Sequence, residues 1–483
     1  MRMMCGALAA LMLSACASAP QANDPWATLT ARDVEAAYQL LVDDHPAMSP
    51  EISAAAFRAD FETGRALALE RARAVRDYDG YRAVLAGLAT SAGDKHIWSR
   101  PMYQPETVQW AGLIVSRRGD RYVVIEHDGA EAGASLVGAA LVSCDGVAVD
   151  DFAAQKLGGF RAVWSIEAQR IQRAPELLID EGNPFVLRPN TCAFDQGGAE
   201  IEHTLAWRDL ARSAVADHTR PARNRGAAGF GVRAFGAGGM WIALQSLGDR
   251  APPVVQAVGA QQAALRAAPL VVLDLRGNGG GNSDYGRQIA MALYGEAHVR
   301  AVLDGAEGGN CDTAWRVSPR NMDTMRDYAR RFRDSAPEFA ASIDVQLAAA
   351  ERAQAEGRDF TGPTTCASES VSAPAAPPPP SQARGRVVLL TDNTCFSSCL
   401  MVADDFRRLG ALHVGQATDA NTHYMEVREA ELPSGLSMFS TLQALGPAAP
   451  PQIGPFAPTH VYGGDIGDTP AVETWVAGLP GGG

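Results

Sequence analysis

The sequence of 483 residues contains almost no lysine: of its 42 basic residues, only Lys95 and Lys156 are lysines. Positive charge is scarce overall, since the formal net charge is −13 at pH 7. Proteins that bind nucleic acids need a basic surface, so this charge argues against that class of partner. No CxxC or HExxH spacing occurs, which disfavours a zinc site. We expect neither a metal nor an organic cofactor.

Long apolar runs are also lacking, so no transmembrane helix is predicted. The first 20 residues, MRMMCGALAALMLSACASAP, combine one basic residue, a short apolar run and a small-residue end, as secretory signals do. LSAC at residues 13–16 resembles the lipobox of bacterial lipoproteins. That resemblance implies a signal peptide at residues 1–15, an acylated Cys16 and a tether at residues 16–29. The protein would then be lipid-anchored in the cell envelope and face the periplasm, with the outer membrane as the expected site. An ordinary cleaved signal with an incidental cysteine is the alternative.

The remaining chain is too long for one ordinary hydrophobic core, and three regions differ in periodicity. Residues 30–103 have helical spacing; TARDVEAAYQLLVDDHP begins with a predicted Thr30 cap and stops at Pro46. Residues 104–212 contain short β-rich runs between Gly and Asp turns. Within them, ASLVGAALVSCDGVAVDDF resembles part of a PDZ domain. Residues 213–228 are predicted to be a linker.

Residues 229–483 alternate between strands and helices. GMWIALQSL, PLVVLDLR and GRVVLLTDN are predicted strands, with helical segments between them. This alternation indicates right-handed crossovers and a largely parallel sheet. Charged helical stretches and a proline-rich spacer interrupt the pattern at about residues 299–384, which we interpret as a helical insertion. The predicted fold class is therefore multidomain α/β, with a helical N-terminal unit, a PDZ-like module and an interrupted α/β domain.

Six cysteines remain besides Cys5 and Cys16, and an even number outside the cytoplasm indicates disulfides. Fifteen pairings are open. Pairing sequence neighbours would join residues 144 with 192, 311 with 366, and 395 with 399. The last pair would span a turn of a few residues, and two buried thiols are the alternative there.

Two segments of the α/β region carry candidate chemistry. VVLDLRGNGGGNSDYG is a strand that ends in a glycine run before a helix, where free backbone N–H groups suit an anion or oxyanion. Its spacing fits neither GxGxxG nor a P-loop. TDNTCFSSCLMVADDF follows the next strand and places Ser397 and Ser398 at the start of a helix. Both segments are expected at the carboxyl edge of one parallel sheet.

A nucleophilic serine needs a base, and the candidates are few. No lysine follows Lys156, and Lys95 adjoins His96, so a Ser-Lys centre is disfavoured. His96 lies in SAGDKHIW, with Asp94 two residues before it. His423 follows the serines by a strand and a loop and is the rival base.

Together, DLRGNGGG, TCFSSC and VADDFRRLGALHVGQAT resemble the catalytic core of the tail-specific (C-terminal processing) serine proteases, including their tricorn-core and retinoid-binding-protein branches. The resemblance implies a serine peptidase that acts on peptides or proteins, with Ser397 as nucleophile. Leu400 replaces an acidic helix residue that is common in the family. The backbone N–H of Ser398 would stabilise the oxyanion beside Gly280 or Gly281. The tricorn branch takes its base from a D-x-H element, which GDKHIW fits, so His96 is the implied base.

The third catalytic residue stays open between Glu426, Asp465 and Asp468. Each of these acids also fits a role as a surface residue or a helix cap. A catalytically inactive binding protein that keeps the fold is the alternative function. A thiol redox protein is disfavoured because Cys395 and Cys399 are spaced as CxxxC.

Overall fold

The computed structural model describes residues 24–129, 134–303, 313–365, 377–447 and 449–480. Over these residues the chain is a mixed α/β protein. Within these ranges, no helix is both long enough and apolar enough to cross a membrane. The predicted signal peptide, Cys16 and the pair of residues 311 and 366 lie outside the described residues.

The N-terminal unit consists of three helices and a short strand: α1 (Pro25–Asp44), α2 (Ala55–Ala72), α3 (Tyr78–Ser91) and β1 (Ser99–Pro101). The predicted cap at Thr30 is wrong, because α1 begins five residues earlier. Asp24 is the N-cap, and its carboxylate accepts a hydrogen bond from the backbone N–H of Trp26 at 2.9 Å. Pro25 suits the first helical position because its φ is already helical and its missing N–H is not needed there.

The next region forms two small antiparallel sheets and two helices: β2 (Thr107–Trp110), β3 (Leu113–Arg118), β4 (Arg121–His127), β5 (Ala140–Cys144), β6 (Val147–Ala148), α4 (Val149–Leu157), α5 (Glu167–Arg173), β7 (Ile179–Asp180), β8 (Thr191–Gln196), β9 (Ala199–Thr204) and β10 (Arg208–Ala211). One sheet has the order β3-β4-β5-β8-β9, with β6 beside β5, and the other has the order β10-β2-β7. Cys144 and Cys192 lie opposite each other on β5 and β8 and form one of the predicted disulfides.

The predicted linker at residues 213–228 is not an extended segment. It begins within helix α6 (Arg212–Thr219), and both Thr219 and Ala222 are fully buried. The stretch therefore packs against neighbouring elements, which bury side chains such as Thr219 and Ala222.

The α/β region then begins with β11 (Phe230–Phe235), β12 (Gly239–Leu244), α7 (Ala251–Ala260), α8 (Gln262–Ala267), β13 (Leu270–Asp274), α9 (Asp284–Tyr294) and α10 (Glu296–Leu303). Val299 and Leu303 of α10 belong to the main core beside the sheet. The predicted insertion boundary at residue 299 is therefore wrong, since it falls inside a core helix. The interrupting segment contains β14 (Ala314–Trp315), α11 (Pro319–Arg331) and α12 (Pro337–Ala355).

The sheet resumes with β15 (Arg386–Thr391), α13 (Ser398–Arg408) and β16 (Leu412–Gly415), and the chain continues with β17 (Asn421–Thr422), β18 (Tyr424–Glu431), β19 (Ser437–Leu445), β20 (Gln452–Ile453), β21 (His460–Val461) and α14 (Thr469–Ala477). The main sheet has the order β11-β12-β13-β15-β16-β21 and is parallel from β12 onward. Val271–Leu273 and Val388–Leu390 are buried on both faces, as central parallel strands require.

A second sheet joins the two ends of the chain. Its strands β18, β1 and β14 all pair with β19. Side chains from α1, α2 and α3 share one hydrophobic cluster with Tyr424, Phe439 and Leu442 of this sheet. The helical unit therefore has its core in common with the C-terminal region, and this packing carries residue 96 toward the end of β15.

Candidate active site

Ser397 occupies a strained turn between β15 and α13. Its backbone has a φ of 58° and a ψ of −133°, a combination that residues other than glycine rarely adopt. A sharp strand-to-helix turn of this kind projects a serine hydroxyl from the carboxyl edge of a sheet. The side chain is partly exposed, and its Oγ makes no hydrogen bond to any residue that the structure describes. The hydroxyl is therefore available to a substrate.

A disulfide spans this turn. Cys395 and Cys399 are bonded, their Cα atoms lie 5.3 Å apart, and both side chains are fully buried. The structure thus contains the predicted bridge in place of two free thiols. Ser397 lies midway between the two cysteines, so the bridge restrains the backbone on both sides of this serine.

Asp392 ties the same turn to the glycine run. Its buried carboxylate accepts hydrogen bonds from the backbone N–H groups of Gly226 at 2.7 Å, Gly277 at 3.0 Å and Thr394 at 3.0 Å. Burial raises the pKa of this carboxyl, and the hydrogen bonds oppose that rise. Sequence reasoning did not single out Asp392, whose place directly after β15 was the available signal.

Two backbone N–H groups beside Ser397 have no acceptor among the described residues, those of Gly281 and Ser398. The N–H of Gly280, in contrast, donates to Asn278 Oδ1 at 2.9 Å. The N–H of Gly280 is therefore not free to bind an oxyanion. Of the two glycines predicted to supply an oxyanion donor, Gly281 remains. Ser398 Oγ donates to the carbonyl oxygen of Gly281 at 2.6 Å and holds the two segments together.

Gly280 has a steric role. A Cβ atom at this position would lie 2.8 Å from Ser397 Cβ and 3.1 Å from the backbone nitrogen of Ser398, and the φ of Gly280 is +107°. Only glycine allows the two segments to approach this closely. The glycine run therefore leaves the free N–H groups of Gly281 and Ser398 close to Ser397, where an anion could bind.

His96 lies after α3 and is oriented by Asp94. Its Nδ1 lies 2.8 Å from Asp94 Oδ1, which also accepts the backbone N–H of His96 at 2.8 Å. The other carboxylate oxygen accepts the backbone N–H of Thr422 at 2.9 Å and its hydroxyl. Burial alone would raise the pKa of Asp94, but the hydrogen bonds from His96 and Thr422 outweigh it and lower the pKa to about 2. Asp94 is thus a buried anion that favours a proton on Nδ1 and leaves Nε2 as an acceptor.

The imidazole of His96 packs on the turn that carries the nucleophile. Its centroid lies 4.4 Å from the ring centroid of Phe396, the residue directly before Ser397. His96 Nε2 makes no hydrogen bond with Ser397 Oγ or with any other described residue. His96 and Ser397 therefore lie close to each other without a hydrogen bond between them.

Lys95 is bound in a separate network. Its Nζ lies 2.5 Å from Asp419 Oδ2 and 4.2 Å from the ring centroid of Phe396. Asp419 also accepts hydrogen bonds from Gln169 at 2.9 Å and Gln172 at 3.2 Å, both on α5. The β-rich region thus contributes to the layer behind the turn of Ser397, and Lys95 is paired with Asp419.

The structure does not bring the three predicted acids to His96. Glu426 is on β18 and has a φ of 64°. It lies near Tyr328 of α11, whose pKa is raised mainly by burial and further by the charge of Glu426. Burial also raises the pKa of Glu426 itself. Asp468 caps α14 by accepting the N–H of Ala471 at 3.2 Å, and Asp465 accepts the N–H of Gly467 at 2.9 Å. The last two acids thus have the capping and turn roles that were the alternative reading.

The rival base, His423, also lies apart from this pair. Its Nδ1 is 3.3 Å from the carbonyl oxygen of Ala449, and its ring packs on Tyr424. Burial lowers its pKa. The acid that sequence reasoning missed is Asp94, and its signal was present in the D-x-H spacing itself.

Comparisons with known proteins found one protein family and several solved structures that are similar to this chain. Residues 242–445, which include the glycine run and Ser397, match the model of Peptidase family S41. No curated protein matches the chain. The structure of mature CPAF complexed with lactacystin is 13% identical with a TM-score of 0.59, and the match covers 93% of this chain and 98% of that one. Another structure of mature CPAF is 12% identical with a TM-score of 0.55, covering 90% and 92%.

These two structures share the fold of this chain over nearly its whole length. The tricorn protease is 11% identical, with 93% of this chain and 37% of that one covered, but its TM-score is only 0.33. The predicted family resemblance is confirmed by the match over the catalytic region. The family model covers residues 242–445, which include Ser397, and this match identifies the chain as a serine peptidase.

Proposed function

We propose that this peptidase is an endopeptidase whose catalytic centre consists of Ser397, His96 and Asp94. The observation that carries the proposal is the placement of His96, which is held through Nδ1 by a buried carboxylate and packs on the residue before Ser397. An oriented histidine beside a strained, accessible serine is the arrangement that acyl transfer requires.

In the proposed reaction, Ser397 Oγ attacks the peptide carbonyl carbon while His96 Nε2 takes the hydroxyl proton. The carbonyl oxygen becomes negative and accepts hydrogen bonds from the N–H groups of Gly281 and Ser398. His96 then gives its proton to the leaving amine as the C–N bond breaks, which leaves an ester on Ser397. A water molecule, deprotonated by the same histidine, releases the acyl group.

The hydrogen bond between Ser397 and His96 forms, in this proposal, when substrate binds. Catalytic hydrogen bonds are often long or absent before the substrate is in place. A catalytically inactive binding protein is the competing function, and the separation of serine and histidine in the structure is the observation that favours it.

Peptidase activity of two serine variants tests the nucleophile. Ser397→Ala should abolish cleavage of a fluorogenic peptide or unfolded protein. Ser398→Ala should lower kcat only about tenfold, because its N–H remains and only the hydrogen bond to Gly281 is lost. The assignment fails if Ser398→Ala is the inactive variant while Ser397→Ala cleaves.

We further propose that Cys16 carries a lipid and that the peptidase lies in the cell envelope, facing the periplasm. The lipobox-like LSAC supports this, and the disulfides Cys144–Cys192 and Cys395–Cys399 suit an oxidising compartment. Cys16→Ser should abolish incorporation of a labelled fatty acid into the protein. Retained label in that variant would refute the anchor.

We propose that the β-rich region of residues 104–212 is a PDZ-like module, because β5 leads through the turn at Asp145 and Gly146 to β6 and then to α4. Strand β3 is an edge strand, where a peptide would add in the usual PDZ manner. The turn at Ala174–Glu176 contacts β3, and Ala111 N donates to Leu178 O at 3.2 Å. A peptide would have to displace this segment.

A further inference from the structure

A cavity of about 350 Å³ lies between α3, α4 and α6, away from the nucleophile. Its volume falls in the range of small-molecule sites, roughly 300 to 1,000 Å³. Neither Ser397 nor His96 lines it, nor do the oxyanion donors Gly281 and Ser398. The cavity is therefore distinct from the proposed catalytic centre.

The charges around this cavity have the opposite sign to the chain as a whole. Six cationic side chains line it: Arg82, Lys156, Arg161, Arg173, Arg212 and Arg223. Four acidic side chains oppose them: Asp79, Glu176, Asp180 and Glu181. The lining thus carries an excess of two positive charges in a protein whose net charge is −13.

Three buried donors in this lining have no hydrogen-bond acceptor among the described residues: Lys156 Nζ, Arg82 Nε and Arg212 Nη2. Lys156 is only 7% exposed, so its ammonium is almost removed from water. The ammonium of Lys156 has no acceptor at all in the described part of the chain, whereas Arg82 and Arg212 bond acceptors such as Asp79 and Glu181 through their other nitrogens. Unsatisfied N–H groups on buried cations are costly and point to an acceptor that completes them.

The acids that are present are already shared. Glu181 accepts hydrogen bonds from both Arg161 and Arg212 at 3.3 Å, and its backbone carbonyl accepts Arg82 at 2.9 Å. Lys156 Nζ lies over the Trp207 ring at 5.3 Å, a contact that supplies no lone pair. Burial lowers the pKa of Lys156 to about 8, so the ammonium remains charged at neutral pH.

Most of the remaining wall is apolar. Leu157 ends α4, Phe160 follows it, Ile179 is on β7, and Val186 and Val215 lie on the same wall. A simple inorganic ion would leave this surface without contact. A ligand with a negative head and an apolar body would use both parts of the cavity.

We propose that this cavity is a binding site for a small organic anion, with a carboxylate or phosphate head bound by Lys156, Arg82 and Arg212 and an apolar body against Phe160 and Ile179. The shared chemistry is an oxyanion that accepts the three unsatisfied N–H groups. A smaller cavity of about 190 Å³ shares Phe160, Arg161 and Arg173 with it and reaches Asp94 and Lys95. The ligand would therefore sit close behind the layer that supports His96.

Isothermal titration of the full chain tests the site with three probes: 4-phenylbutyrate, its neutral amide, and inorganic phosphate. The carboxylate should bind, and the amide should bind about tenfold more weakly, because charge-assisted hydrogen bonds are lost. Inorganic phosphate should bind more weakly than phenylbutyrate because it has no apolar body, and phosphate binding as tight as that of phenylbutyrate would show that the apolar wall does not contribute.

Lys156→Met keeps the apolar stem and removes the charge, so phenylbutyrate should bind about tenfold more weakly. Arg358→Met, on an exposed arginine after α12, is the matched control and should bind as the parent does. If Lys156→Met does not fold, Arg212→Gln replaces it as the variant that tests the site, and it should also weaken phenylbutyrate binding. The proposal is overturned if no probe binds, if the amide binds as tightly as the carboxylate, or if a folded variant at residue 156 or 212 keeps full affinity.

Discussion

One carboxylate, that of Asp94, sets both the orientation and the protonation of the proposed base. It holds the ring of His96 through Nδ1 at 2.8 Å, and its second oxygen is fixed by Thr422. Because the carboxylate is buried and anionic, it stabilises the imidazolium that forms when His96 accepts a proton. The proposed catalytic role of His96 therefore depends on Asp94, two residues earlier.

We predict that Asp94→Asn lowers kcat by roughly 10³- to 10⁴-fold with a smaller change in KM, because an amide no longer enforces the productive tautomer. Steady-state kinetics on a fluorogenic peptide would measure this. Asp468→Asn is the control, since asparagine also caps helices, and it should retain activity. Equal losses in both variants, or full activity in Asp94→Asn, would contradict the role given to Asp94.

For individual residues, the sequence predicted which residue types form the proposed site better than it predicted which of these residues contact one another. Ser397 and His96 were assigned through the resemblance of TCFSSC and GDKHIW to the protease family, and the glycine run gave Gly280 and Gly281 as equal candidates. Glu426 was chosen by chain order after the nucleophile, yet the direction of β18 places it near Tyr328. That direction depends on the pairing of β18 with β19, which no local pattern specifies.

Among the elements, the turn between β15 and α13 is the most constrained. The disulfide Cys395–Cys399 closes a loop with a sequence separation of only 4 residues, whereas Cys144–Cys192 closes one of 48. In the chain-entropy description the short loop contributes about 2 kcal/mol to stability and the long loop about 4 kcal/mol. The short bridge is thus better suited to positioning than to global stability.

We predict that the double variant Cys395→Ala/Cys399→Ala lowers kcat by about tenfold to a hundredfold, because small displacements of a nucleophile are costly. The double variant Cys144→Ala/Cys192→Ala should lose more stability and retain kcat. Thermal unfolding and kinetics of the two variants would separate these effects. Unchanged kcat in the first variant would show that the bridge does not position Ser397.

At the start of α1, two local capping signals compete in the sequence. The pair Asp24-Pro25 was a cap signal that the Thr30 reading overlooked, and α1 begins there. The segment of α6 was read as a linker because its eight residues are mostly small and polar. The long parallel strands were predictable, since β13 and β15 are continuous apolar runs that need burial on both faces.

For the whole molecule, the decisive feature is the core shared by the N-terminal helices and the β18–β19 sheet. It brings residue 96 to residue 396 across 300 positions of sequence. Helical periodicity predicted that α1, α2 and α3 have apolar faces, but it contains no information on which surface covers them. The sequence therefore offered Ser397 and His96 as candidates, but it did not predict Asp94 as the partner of His96 or the packing that brings these residues together.

This shared core contains a histidine that should make the fold sensitive to acid. His45 is fully buried and packs on Phe57 and Tyr424. Burial lowers its pKa from 6.5 to about 3. Below pH 6.5, His45 is protonated in the unfolded chain but stays neutral in the folded chain until about pH 3. The free energy of unfolding therefore falls as the pH drops from about 6.5 toward 3.

We predict a loss of about 3 kcal/mol in unfolding free energy between pH 6.5 and pH 4 from His45 alone, at about 1.4 kcal/mol per pH unit. His45→Asn keeps an acceptor for the N–H of Ala47 and should show a shallower pH dependence, though lower stability at pH 7. His218→Asn, on the partly exposed face of α6, is the control. Urea unfolding at several pH values would measure the slopes, and a slope unchanged in His45→Asn would refute the assignment.

The central claim, that Ser397 is a nucleophile activated by His96, is tested most directly by labelling with a fluorophosphonate and locating the adduct by mass spectrometry. We predict one adduct per chain on Ser397, none in Ser397→Ala, and labelling slowed by several orders of magnitude in His96→Ala but near normal in His423→Ala. An adduct on Ser398, the reverse ranking of the two histidines, or no adduct on the folded protein would contradict the account.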